Sequence, residues 1–260
     1  MTILQSIILG LLQGFTEFLP ISSSGHLLLA ESAMGLPLDR LQDFDVLLHA
    51  GTLFALIICY SSDWWRMARS PFNGDRQGQK LLFLLTLATI PGVIAGFFLA
   101  EIIGSSLRSV SSVGFEFIAN GLILIAAERF AQARTRDALN IGDAVIIGCA
   151  QALALSPGLS RSALTIAAGR MLKLQRPDAL DFSFLMATPI IAGATLFAAA
   201  DIASGDVLLP SLPVIVVGIT SALLASVVAI LFLRRFVAKK SLALFAWYLI
   251  PMGLLLCVRT

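Results

Sequence analysis

Gln13-Gly14-Phe15-Thr16-Glu17-Phe18-Leu19-Pro20-Ile21-Ser22-Ser23-Ser24-Gly25-His26 is a polar, proline-broken segment set inside otherwise apolar sequence, and it has a counterpart 138 residues further on. Gln13 matches Gln151, Ser22 matches Ser160 and Ser24 matches Ser162. Asp43-Phe44 matches Asp181-Phe182 and Leu47 matches Leu185, with no gap across the stretch. A duplicated unit whose polar part lies in apolar sequence points to a binding site at the interface of the two copies.

Composition sets the environment. Of 260 residues, 58% are hydrophobic and 13% charged, and the mean hydropathy is +0.91. A soluble domain carries about 25% charged residues, so too little polar side chain is present to cover a water-facing surface. The expected fold class is an all-α integral membrane protein. The net charge of +2 gives no reason to expect a nucleic-acid partner. Cys59, Cys149 and Cys257 lie in apolar runs and are odd in number, which reads as small buried hydrophobes rather than a disulfide framework. Met1 to Leu12 has no Lys or Arg and no cleavage site after it, so no signal peptide is expected.

Six runs are long enough to cross a bilayer, roughly 44–60, 81–100, 113–127, 182–200, 212–233 and 242–258. Two other stretches, 3–34 and 141–172, are apolar but broken, and each holds two half-length helical pieces around a polar turn. Such pieces enter and leave on one side, as re-entrant hairpins, and irregular backbone at that depth survives only when covered by protein or lining a cavity. The stretch 61–80 reads as a long polar loop whose Trp64-Trp65 pair lies at an interfacial aromatic belt. With that loop in the cytoplasm and the second hairpin re-entrant, 14 basic residues fall inside and only Arg40, Arg108 and Arg259 outside. That is a strong positive-inside bias. Three spans then separate the copies, so the second is inverted and the hairpin tips meet near the midplane. The expectation is one membrane domain over 1–260, with repeats of about 1–130 and 139–260. It consists of six transmembrane helices plus two re-entrant helical hairpins in an inverted-topology repeat.

Gln13 and Glu17 are four apart and share a helix face. Pro20 ends that helix, and Ser22 or Ser23 caps the next, leaving backbone N–H groups that favour an anion. The second hairpin carries Pro157-Gly158-Leu159-Ser160-Arg161-Ser162-Ala163-Leu164-Thr165, with a Pro-Gly turn and Ser160 as cap. Arg161 at an intramembrane helix N-terminus needs an anion, either Glu17 or a ligand phosphate, and its planar fork suits phosphate oxygens. Taken singly, each serine also reads as a cap, His26 as a packing histidine and a Glu17–Arg161 pair as structural. The combination in two broken segments is what points to a site. Asp43 and Asp181 read as span-starting caps, while His49, Glu116 and Asn120 lie in spans between packing and a role. Ser23 or His26 supplies a nucleophile, the other an acid or base. Glu17, with Gln13, holds a divalent cation.

These motifs resemble the undecaprenyl-pyrophosphate phosphatases of bacteria, of the bacitracin-resistance type. The first match is Gln13 to His26 and the second Pro157 to Thr165, with length and span pattern agreeing over the whole chain. The resemblance implies hydrolysis of the terminal phosphate from an undecaprenyl (C55 isoprenyl) pyrophosphate lipid, recycling the carrier for cell-wall synthesis. It also implies the bacterial inner membrane, a periplasm-facing site and Mg²⁺ or Ca²⁺. By motif position, Glu17, Ser23, His26 and Arg161 become catalytic. Gln13, Ser22, Ser24, Gly25, Ser160, Ser162 and Thr165 become substrate-binding, with Glu17 and Gln13 at the metal. The neutral Gln13 argues against a two-carboxylate mechanism. Ser23 assisted by His26 is the favoured nucleophile and a phosphohistidine at His26 its rival. A homodimer is an open expectation. The alternative function is an inverted-repeat transporter or flippase for a phosphate-bearing lipid. A structural scaffold would leave Glu17 and Arg161 unexplained.

Overall fold

Eleven α-helices and two short 3₁₀ turns, with no β-strand, make up the described part of the computed structural model, which is residues 1–37, 41–106, 109–156, 158–204 and 209–259. The helices are α1 (Ile3–Phe18), α2 (Ser23–Ala33), α3 (Gln42–Cys59), α4 (Ser61–Asn73), α5 (Arg76–Ser106), α6 (Val110–Ala127), α7 (Ile141–Leu153), α8 (Arg161–Met171), α9 (Arg176–Ser204), α10 (Leu212–Val237) and α11 (Ala246–Arg259). Local chemistry sets many of their ends. Thr2 and Gln5 form a capping box for α1, and Asn140 and Asp143 form one for α7. Leu19, with the extended backbone that a following proline favours, ends α1. Ser22 and Ser160 cap α2 and α8.

Four helices among the described residues are long and apolar enough to cross a membrane: Arg76–Phe98, Val110–Ala127, Arg176–Ile202 and Leu212–Val237. A fifth forms if α3 and α4 count as one span bent by 68°. The expected run 242–258 is a 3₁₀ turn followed by a 14-residue helix, shorter than a regular span. The expected polar loop 61–80 is instead largely the helix α4. Its Met67 and Ser70 are buried, and Arg69 stacks on the Trp65 ring at 4.1 Å on the outward face. Asp181 is not a cap either. It lies inside α9 and accepts the Tyr60 hydroxyl at 2.7 Å. Arg40, Arg108 and Pro157 lie outside the described residues, while the rest of the Pro157 turn is closed by Leu159 N donating to Ser156 O at 3.1 Å.

The 138-residue period recurs in the backbone. Helix α8 starts and ends 138 residues after α2. Gly35 after α2 has φ +64° and Lys173 after α8 has φ +69°. Leu36 N donates to Glu31 O as Leu174 N donates to Gly169 O, both at 3.0 Å, the Schellman closure of a helix end. The packing is exchanged between halves: α1 lies on α10 and α7 lies on α5. Close crossing without side chains makes both possible. A Cβ on Gly10 would collide with Gly218 O of α10, and one on Gly148 with Ala88 O of α5. Gly14 likewise faces Ala222 O, so α1 meets α10 through the small-residue interface common to membrane helices.

One end of the molecule is tied by the basic residues. Arg134 Nη1 donates at 3.1 Å both to Asp143, in the first turn of α7, and to Leu172 O, just past α8. The α7–α8 hairpin therefore begins and ends at the same place. Arg136 pairs with Asp63 at 3.0 Å, Arg176 with Glu128, and Arg234 with Asp181 at 3.5 Å. At the other end, Ser6 Oγ donates to Val214 O at 2.6 Å, holding the start of α1 to the start of α10.

Gly14→Leu should therefore destabilise the protein by more than about 3 kcal/mol, because the obstruction is backbone. Gly96→Leu, with nothing within 4 Å of the added Cβ, should change stability by less than about 0.5 kcal/mol. Melting in detergent, followed by gel filtration of the surviving monodisperse protein, checks both.

Candidate active site

The two broken segments meet at their tips. Arg161 Nη2, at the first residue of α8, donates to Glu17 Oε1 in the last turn of α1 at 2.8 Å. Ser162 Oγ donates to Leu19 O at 3.1 Å, joining tip to tip. Both side chains of the ion pair are largely buried, 14% and 8% exposed. In such a place each charge needs the other.

Glu17 is the hub. Its Oε2 accepts the Ser23 hydroxyl at 2.6 Å and the Gln13 amide at 3.1 Å. His49 Nε2, from α3, lies 3.5 Å from the same oxygen. Gln13 is fully buried, and while its Nε2 serves Glu17 its Oε1 has no partner. Arg161 uses one arm on Glu17 and leaves Nη1, also buried, without one. An unpaired donor and an unpaired acceptor thus lie in the cluster with one carboxylate and one hydroxyl, and buried polar groups are seldom left without partners.

The same position does different work in the two copies. Ser23 and Arg161 are equivalent in the 138-residue register, and each is the first residue of its helix. Both therefore project beside a helix N-terminus, one as hydroxyl and one as guanidinium. Ser22 caps α2 through Gly25 N at 3.3 Å with φ +72°, ψ +106°, a left-handed backbone uncommon for serine. Its equivalent Ser160 has φ −83°. The strain is confined to the copy that carries Ser23.

Of the other expected residues, Ser24 is exposed and lies 3.5 Å from Ser22 Oγ, and Gly25 packs against Phe117. Ser160 Oγ receives Ala163 N at 3.2 Å as a cap. Thr165 Oγ1 is committed to Arg161 O at 2.8 Å and Ser183 Oγ at 2.6 Å, behind the tip. His26 does not join the Glu17 cluster. Its Nδ1 contacts Ser22 O at 2.6 Å, so Nδ1 carries the proton, and Nε2 takes the Tyr248 hydroxyl at 2.7 Å. The ring stacks between Phe117 and Tyr248. Sequence reasoning left His49 and Asn120 without a role and did not single out Tyr248. Asn120 holds the second tip by donating to Gly158 O at 2.9 Å and accepting Ser160 N at 3.2 Å. Glu116 takes the Ser156 hydroxyl beside it. The one available signal for His49 is that an ionisable residue inside a span is a site hypothesis by default.

The chain matches the family described as bacitracin resistance protein BacA over residues 6–255. It is 40% identical over 262 residues to the undecaprenyl-diphosphatase of Gemmatimonas aurantiaca, covering 98% of this chain and 96% of that one. It is 38% identical to the undecaprenyl-diphosphatase of Pelotomaculum thermopropionicum, covering 99% and 97%. With undecaprenyl-diphosphatase 3 of Bacillus cereus it shares 36% identity over 97% and 95% of the two chains.

Glu17→Ala should leave Arg161 uncompensated and cost about 3–5 kcal/mol. The double variant Glu17→Leu/Arg161→Met should regain most of that loss. Thermal midpoints of the single and double variants in one detergent check the coupling.

Proposed function

The chain belongs to the bacitracin resistance protein BacA family, and we propose that the Glu17 cluster is where it hydrolyses undecaprenyl diphosphate to undecaprenyl phosphate and inorganic phosphate. The activity comes with the family, whose relatives at 36–40% identity are undecaprenyl-diphosphatases. Their names do not favour the transport alternative. The observation that carries the placement is Arg161, with one arm on Glu17 and the other unpaired, beside a hydroxyl bonded to the same carboxylate. Phosphoryl transfer asks for charge neutralisation and an aligned nucleophile, and those are the two things this cluster offers.

In this reading the terminal phosphate rests on Arg161 Nη1 and the N-terminal ends of α2 and α8. Glu17 Oε2 takes the Ser23 proton along the existing 2.6 Å hydrogen bond as Ser23 Oγ forms its bond to phosphorus. The P–O bond to the lipid phosphate breaks, and undecaprenyl phosphate leaves. Glu17 gives the Ser23 proton to the departing phosphate. Water then attacks the phosphoserine, and Glu17 takes the water's proton and returns it to Ser23 Oγ as the Oγ–P bond breaks and inorganic phosphate leaves. The base is Glu17 rather than His26, because both His26 nitrogens are engaged by Ser22 and Tyr248. The same engagement weighs against a phosphohistidine. His26 instead steadies the carbonyl of the Ser22 cap.

No group of three or more His, Cys, Asp or Glu able to hold a metal occurs among the described residues. The unpaired Gln13 Oε1 next to Glu17 fits a cation that borrows its remaining ligands from the substrate, as Mg²⁺ commonly does. Gln13 and Glu17 would hold Mg²⁺ or Ca²⁺, which when bound neutralises diphosphate charge. The chain sits in the bacterial inner membrane as two inverted halves, about 1–130 and 139–260. Their hairpins enter from opposite faces, and the site opens to the periplasm. The basic end knit by Arg134, Arg136, Arg176 and Arg234 supports a cytoplasmic assignment for that end.

Purified protein should release phosphate from undecaprenyl diphosphate in detergent. Arg161→Ala should lower turnover about 10²- to 10³-fold, and Ser23→Ala should abolish phosphoenzyme formation. Full turnover by Arg161→Ala rules the placement out. A chelator should stop turnover, and added Mg²⁺ or Ca²⁺ should restore it.

A further inference from the structure

His49 enters the cluster from a different helix than any residue of the two broken segments. Its Nδ1 contacts Asp45 O at 2.8 Å. A carbonyl only accepts, so this nitrogen donates, and the bond fixes the ring on its own helix. Nε2 is left facing Glu17 Oε2 at 3.5 Å, and with Nδ1 already donating it meets that oxygen as a donor in the imidazolium, where both nitrogens carry protons. That oxygen is the one that accepts the Ser23 hydroxyl. Glu17 thus has Arg161 on Oε1, while Gln13, Ser23 and His49 converge on Oε2.

The mounting of the two side chains is stiff. Gly14, three residues before Glu17, meets Ala222 of α10, and Gly51, two residues after His49, packs on the same Ala222. Helices α1 and α3 are therefore docked on one residue of a third helix, with glycine on their own side of each contact. Thr52 Oγ1 adds a bond to His49 O at 2.8 Å. Functional geometry held by close-packed helices is held tightly.

The asymmetry of the two halves separates His49 from the scaffold. Residues that shape both tips recur: Gln13 and Gln151, Ser22 and Ser160, Ser24 and Ser162. The equivalents of Glu17, His26 and His49 are Leu155, Leu164 and Ala187. A histidine needed only to pack α3 would have no reason to follow the carboxylate, whereas one that serves Glu17 would.

We propose that His49 is a positioning residue for the hydrolysis, holding Glu17 Oε2 against the Ser23 hydroxyl from α3. The proposal rests on Glu17 and Ser23 acting as described above. A donor of similar reach, as in His49→Gln, preserves the function, and an apolar or short side chain does not. His49→Leu lowers kcat about ten- to hundredfold and leaves KM unchanged, since Arg161 and the helix amides still hold the phosphate.

The test measures kcat, KM and thermal midpoint for wild type, His49→Leu, His49→Gln and Glu17→Ala on undecaprenyl diphosphate in one detergent. The expected result is a kcat loss in the leucine variant with KM and midpoint near wild type, most of it recovered by glutamine. If the leucine variant does not fold, His49→Asn, too short to reach the carboxylate, takes its place with the same expectation. Wild-type turnover in the leucine or asparagine variant overturns the proposal, as does a glutamine variant no better than leucine. Wild-type turnover in Glu17→Ala instead overturns the assignment of Glu17 itself, which keeps the two failures apart.

Discussion

A carboxylate and a guanidinium held 2.8 Å apart between two helix tips is the constraint around which this protein is arranged. Neither charge is easily borne alone in so buried a place, where desolvation costs several kcal/mol per ion. Satisfying both forces the tips together, although Glu17 and Arg161 lie on opposite halves of the chain. The pair is also incomplete. Arg161 Nη1 and Gln13 Oε1 lack partners, and each buried polar group left unpaired in a low-dielectric place costs free energy that a ligand can recover. A diphosphate and its counter-ion are of the right charge to do so.

The surrounding fold serves that meeting. The short helices α1 and α7 make their most extensive contacts not within their own half but with α10 and α5 of the other. Small residues let the backbones approach, and van der Waals contact, not hydrophobic exclusion, is what holds helices together in lipid. The exchange fixes each tip relative to the other half. At the basic end one residue, Arg134, ties the start of α7 to the end of α8, so the α7–α8 hairpin leaves and returns at one place while its tip reaches Glu17.

Duplication explains how one scaffold carries two roles. The first residue after each N-cap is a hydroxyl in one copy and a guanidinium in the other. Around Ser23 the copy has acquired Glu17, His26 and His49 along with a left-handed Ser22. Around Arg161 the same places hold apolar residues, and the polar contacts run to Asn120 and Ser183 instead. One half thus places a hydroxyl and a carboxylate at the meeting point, and the other a guanidinium.

Much of this was written locally. Pro20, the N-cap serines and the apolar runs announce the breaks and the helices, because capping and hydrophobic length act over a few residues. The register between Gln13 and Gln151, and the uncompensated Arg161, were enough to predict that two segments should meet. Where the local reading failed, long-range contact had intervened. Residues 61–73 became a helix because Met67 and Ser70 found a buried face, and Asp181 was drawn from capping to Tyr60, 121 residues away. Composition and register settle the membrane class and the duplication, and they name Glu17 as one of two candidate anions for Arg161. Only the tertiary structure decided that Ser23 bonds Glu17 and not His26, that Tyr248 occupies His26, and that His49 reaches the carboxylate. Those are choices among partners on different helices, set by how closely α1 and α3 dock on α10, and no periodicity or spacing within one segment records that distance.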